Sequence, residues 1–157
     1  KNISTLTDES FQSGGLVPET WRDAVRHSPR LRYPWKEVLQ AIEQAPRLND
    51  GTSILNYVNP IDGGPLLPTL DSRVVTIQGG HETRRRRTTA NAICVVMEGE
   101  GVSQVGGERL EWEKNDVFTI PHWTWVTHNI RSKRAIIIKI SDREILEGLN
   151  LLREETA

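Results

Sequence analysis

Residues 80–101 read GHETRRRRTTANAICVVMEGEG. The second half of this stretch, 89–97, is apolar and β-branched and reads as a strand, which Glu98-Gly99-Glu100-Gly101 then turns. The first half carries four consecutive arginines, Arg84 to Arg87, between Gly80 and that strand. On an extended chain residues two apart share a face, so Arg84 and Arg86 lie with Glu82 and Thr88, and Arg85 and Arg87 lie opposite.

Outward from this stretch the chain is a series of short strands broken by turns at near-regular intervals, the pattern of a barrel or sandwich. Upstream, 53–59 and 70–78 read as strands on either side of PIDGGPLLP, whose glycines and prolines forbid regular structure. Downstream, 102–105 and 108–112 flank the hairpin turn Gly106-Gly107, and 117–120 runs into Pro121. Residues 125–130 follow, and 135–140 is so apolar that both of its faces are expected to be buried. A helix is expected over 34–45, where Trp35, Val38, Leu39 and Ile42 form one stripe between Pro34 and Pro46. A second helix should open at the capping box Ser141-Asp142-Arg143-Glu144 and pack through Ile145, Leu146, Leu149 and Leu152. The organisation is then an arm or linker at 1–27, with a short turn at Trp21 and Val25, a helical lead-in at 28–50, and a barrel with a C-terminal helix at 51–157.

The composition, 36% hydrophobic and 26% charged, is that of an ordinary folded domain, and a net charge of −1 offers no field for nucleic acid or an acidic membrane. No apolar run approaches the roughly 20 residues of a membrane span. The single cysteine, Cys94, lies in an apolar run and cannot form an internal disulfide, which favours a reducing, cytoplasmic setting. The first residue is Lys1 and not Met, which fits either a trimmed product or the back part of a longer protein.

The glycines and spacings of 80–101 resemble the first signature motif of the cupin barrels: Gly, five residues, His, one residue, His, three or four residues, Glu, six residues, Gly. Gly80 and Gly99 occupy the two glycine positions, and the ligand positions hold Arg86, Thr88 and Ala92. The second cupin motif, anchored on Pro121, places Asn115 and Trp123 on its glycines, Val126 on its histidine and Ile130 on its asparagine. The resemblance implies an all-β fold, a cupin double-stranded β-helix (jelly-roll) barrel with flanking α-helices. Iron, zinc or manganese needs imidazole nitrogen or carboxylate oxygen, and these four residues supply one hydroxyl between them. No catalytic or metal-ligating residue is therefore expected in this chain.

The motif frame turns Thr88 into the barrel, and Arg86 with it. A guanidinium binds a carboxylate through two parallel hydrogen bonds, so Arg84, Arg86 and Thr88 are candidate groups for a small organic anion. The competing assignment pairs Arg86 with an internal carboxylate such as Glu82 or Asp71 and leaves Arg85 and Arg87 solvated. His128 shares the parity of Val126 and is a fourth candidate; the alternatives for it are a histidine hydrogen-bonded at the barrel mouth or, with His122 on the same face, a displaced metal site. Trp112, Trp123 and Trp125 cluster around the second motif, either filling the barrel end or stacking a planar ring.

Several further segments, RHSPRLRYPWKEVLQAIE, YVNPIDGGPLLPTLDSRV, VVMEGEGVSQVGGERLEWEKNDVFTIPHW and SDREILEGLNLLREE, are similar to the C-terminal half of the gentisate, salicylate and 1-hydroxy-2-naphthoate 1,2-dioxygenases. These are two-cupin, Fe(II)-dependent enzymes that open an aromatic ring. In that family three histidines of the N-terminal cupin hold the iron, and the C-terminal cupin is commonly degenerate. Here Arg87-Thr88-Thr89 matches the degenerate sequence, and PHWTWV keeps Trp-Thr-Trp while Val126 replaces the histidine. The resemblance implies a structural and oligomer-forming segment without a cofactor of its own, Fe(II) in the other cupin, and an N-terminal catalytic cupin as partner within a homo-oligomer. The reading from a different class is a stand-alone cupin that binds a small aromatic or organic acid without metal.

Overall fold

The structure, a computed structural model, describes residues 30–157; the arm expected at 1–27, with its turn at Trp21 and Val25, lies outside them. The first helix, α1 (Trp35–Gln44), begins after Pro34 and ends at Ala45, which is extended ahead of Pro46 as a residue preceding proline prefers. Ten strands follow: β1 (Thr52–Asn56), β2 (Asp71–Gln78), β3 (Arg86–Thr88), β4 (Ala92–Glu98), β5 (Gly101–Val105), β6 (Glu108–Trp112), β7 (Val117–Ile120), β8 (Val126–Ile130), β9 (Arg134–Ser141) and β10 (Glu154–Thr156). A short helix, α2 (Arg143–Gly148), separates the last two.

The strands pair antiparallel into two five-stranded sheets, in the orders β1-β2-β9-β4-β7 and β10-β3-β8-β5-β6. Between the sheets lies the main core, with Ile77, Cys94, Val96, Ala135 and Ile137 from the first sheet meeting Trp112 and Ile130 from the second. This is the expected all-β jelly-roll barrel. The outer face of the first sheet carries a smaller core, where Val38 and Ile42 of α1 cover Val74 and Ile136. Strand β9 is central in its sheet, and Ala135, Ile136 and Ile137 are all buried, the odd pair facing the barrel and Ile136 facing α1. The alternation that fails to show in its sequence is thus hidden by burial on both sides.

Residues 80–101 carry the chain from one sheet to the other. The strand expected at 89–97 begins only at Ala92, as β4 in the first sheet; β3 precedes it in the second sheet, and 89–91 bends between the two. The bend is fixed by the Thr89 amide donating to the Arg153 carbonyl at 3.0 Å and the Asn91 amide donating to the Asp142 carboxylate at 2.8 Å. Gly99 has φ +90°, and a Cβ there would stand 2.3 Å from the Arg134 carbonyl oxygen; Gly101 lies 2.6 Å by the same construction from the Asn129 carbonyl oxygen. Both glycines let the turn lie flat against β9 and β8.

The C-terminal segment differs from its expectation. Ser141 does not cap α2: it ends β9, and its hydroxyl donates to the buried Asp71 carboxylate. Asp142 stands at the cap position without a side-chain bond to the helix, because its carboxylate accepts from the Asn91 amide and side chain. The helix is six residues long, and of the expected stripe Ile145 and Leu149 remain exposed while Leu146 and Leu152 are half-buried. The chain then forms β10, which pairs with β3 and completes the second sheet.

Candidate functional site

The two sheets part at the end where β2, β3, β8, β9 and β10 meet, leaving a cavity of about 190 Å³. Arg86 and Thr88 of β3 and Val126 of β8 line it, and Arg86 is the register partner of Val126. Three of the four ligand positions of the motif frame therefore converge here, and the fourth, Ala92, is buried in the adjoining core. Their side chains do not fit a divalent metal: a guanidinium repels a cation, and a methyl and an isopropyl group donate nothing. Among the described residues no group of three or more histidines, cysteines, aspartates or glutamates is placed to hold a metal ion.

Two strands add positive charge to this cavity. Arg73 of β2 has the parity of Val75 and Ile77, and Lys139 of β9 that of Ala135 and Ile137, so both turn inward. Arg73 donates through Nε to Asp71, which also accepts from Ser141. Lys139 has no hydrogen-bond or ion-pair partner among the described residues, and burial lowers its pKa. Its register partner Cys94 offers no counter-charge, because burial pushes the thiol up to about 11. Arg73 and Lys139 were not singled out from sequence; a lysine set into the apolar run of 135–140 was the signal available.

The four candidates from sequence separate. Arg86 and Thr88 are at the cavity, and Arg84 is exposed on the loop before β3. The carboxylate nearest Arg86 is Asp50, at 3.6 Å, and not Glu82 or Asp71. Burial opposes charge on Asp50, but the Arg84 and Thr52 amides and the Arg86 guanidinium hold its pKa below the ordinary carboxylate range. His128 points into the barrel but sits deeper, against Phe118 with 6.1 Å between ring centroids. The Trp112 indole N–H donates to Ser103 Oγ at 2.7 Å, and Ser103 Oγ lies 2.6 Å from His128 Nδ1. The indole nitrogen only donates, and the serine proton has no other acceptor among the described residues, so it is assigned to Nδ1 and the imidazole to the neutral Nε2–H tautomer. Burial, followed by the Lys139 charge, pushes the imidazole down to about 4. His122 is far from this arrangement in character: it lies exposed in the β7–β8 connection with Nδ1 at the Thr89 carbonyl, so strand alternation does not link it to His128.

The tryptophans also separate. Trp112 is in the core, whereas Trp123 and Trp125 flank Arg87, whose guanidinium carbon is 4.2 and 4.6 Å from their ring centroids. Arg85 covers Trp125 at 4.9 Å. The outward arginines are therefore stacked on indole faces, not merely solvated, and Arg87 also pairs with Glu155 of β10.

This two-sheet jelly roll with a motif-framed cavity at one end is a cupin, and the cupin domain family matches residues 73–140. Within the cupins the chain is similar to the gentisate and salicylate 1,2-dioxygenases. It is 32% identical over 155 residues to the 5-aminosalicylate 1,2-dioxygenase of a Comamonas species, a match covering 94% of this chain and 41% of that protein. It is 34% identical over 144 residues to a gentisate 1,2-dioxygenase of a Haloferax species, covering 88% of this chain and 39% of the other. The crystal structure of a salicylate 1,2-dioxygenase mutant from Pseudoaminobacter salicylatoxidans matches 95% of this chain and 45% of its own, with a TM-score of 0.76 and 26% identity. The chain spans about two fifths of the length of the curated relatives it matches.

Proposed function

We infer that this chain serves as the metal-free C-terminal cupin of a gentisate-type dioxygenase, a ring-opening enzyme whose Fe(II) is held in an N-terminal cupin. The observation that carries this reading is the match to dioxygenases over 88–94% of this chain but only 39–41% of their length, by a segment whose ligand positions are Arg86, Thr88, Ala92 and Val126. Its role is to bury surface against the catalytic half and against neighbouring subunits of a homo-oligomer.

The outer face of the first sheet supports that role. α1 covers one end of it, and the other end exposes Leu70, Ile93, Val117 and Ile140 around a shallow groove. An apolar surface of this kind on one sheet face is the usual mark of a protein contact, and the part of the relatives' length that this chain does not span, about three fifths, is the occupant we assign to it. The test is iron content and oxygen uptake with gentisate and salicylate, measured on the 157-residue chain alone and on the protein joined to an N-terminal cupin. Activity is expected only in the joined protein, and Ile93→Lys should weaken the joint. One iron per chain with turnover by the isolated chain would overturn the reading.

A further inference from the structure

The geometry points to a binding site for a small organic carboxylate in the cavity between β2, β3, β8 and β9, held by Lys139 and Arg73 with Thr88 and Arg86 at its edge. The site is a property of this barrel and does not rest on its being half of a dioxygenase.

The first ground is an imbalance between donors and acceptors. The carboxylates near the cavity are already engaged: Asp71 accepts from Arg73 Nε and Ser141, Glu154 pairs with Arg143, and Glu155 pairs with Arg87. Asp50 accepts the Thr52 and Arg84 amides and lies 3.6 Å from Arg86. On the donor side, Lys139 has three N–H groups and no partner among the described residues, and Arg73 uses only Nε. Thr88 accepts from the Ala90 amide and has its hydroxyl proton left to give. The carboxylates whose charge reaches Lys139, Asp71 and Glu154, are already paired with Arg73 and Arg143, so the partly buried ammonium is left incompletely neutralised. The surplus is cationic and donor-rich, so the missing partner is an anion.

The second ground is shape. Val75, Ile120 and Val126 line the cavity beside its charged groups. The volume of about 190 Å³ exceeds the roughly 150 Å³ of an apolar cavity that accepts benzene. A cavity that combines cationic donors with apolar side chains suits a monocarboxylate with a small hydrocarbon body better than a fully hydrated inorganic anion. A guanidinium grips the two oxygens in parallel, and the ammonium adds a point charge.

Benzoate, inorganic phosphate and neutral benzamide are the probes, titrated calorimetrically into the full chain and followed by thermal unfolding. Benzoate is expected to bind and to raise Tm, with phosphate and benzamide weaker by roughly tenfold or more. Lys139→Met keeps the side-chain length without the charge; it should abolish benzoate-induced stabilisation while raising Tm of the free protein. Arg86→Gln, at a more exposed position, should fold normally and weaken benzoate binding by a smaller factor. Absence of benzoate binding, equal binding of phosphate, or unchanged benzoate affinity in Lys139→Met with a folded protein would each overturn the assignment.

Discussion

His128 shows how one side chain can be both internal and chemically quiet. Its tautomer is assigned through Ser103, which accepts from the Trp112 indole and has only Nδ1 to take its own proton. The folded imidazole titrates at about 4, against an ordinary value of 6.5. As pH falls the unfolded chain takes up the proton first, so the stability from a neutral His128 is whole above 6.5 and is lost as pH falls through 4. The loss amounts to about 3 kcal/mol at full extent. Urea unfolding at pH 7 and pH 4.5 should show this fall in the native protein and a smaller one in His128→Gln. Inward orientation of His128 could be read from its parity with Val126. The serine relay could not, because Ser103 meets it from another strand.

At the level of elements, the glycines at the strand ends and turns differ in how closely the chain packs on them. A Cβ on Gly101 would meet both the Asn129 carbonyl and the Trp112 ring within 2.7 Å, whereas one on Gly107 meets nothing within 4 Å. Gly101→Ala should therefore cost about 2 kcal/mol or more, and Gly107→Ala well under 1 kcal/mol, read as a shift in the urea midpoint at constant slope. Strands bounded by clear turns, β6 and β7, were legible to the residue, since alternation and Gly or Pro punctuation agree there. β10 was not. Its three residues are all exposed and carry no pattern of their own, and they are extended because β3 offers them an edge. The capping box misled for a related reason: Asp71, seventy residues away, competes for the same serine hydroxyl.

For the whole molecule, the glycine frame of the barrel was legible while the contents of its cavity were only partly so. Arg86 and Thr88 could be placed because they sit at fixed offsets from Gly80. Arg73 and Lys139 stand on strands with no motif, and only the pairing of β2 and β4 with β9 brings them to the same end. That pairing has a further consequence, for how the protein is made. β2 and β4 both take β9 as their neighbour, with Asp71 and Ala92 each meeting Ser141. Contacts so distant in sequence fold slowly, and they leave earlier strands with open edges until the last partner arrives. Chains ended before residue 134 should accordingly show no cooperative urea transition and should aggregate, and chains that include β9 should regain the transition. During synthesis, β2 and β4 leave the ribosome well before β9, and for that interval the edges that β9 will cover stand open.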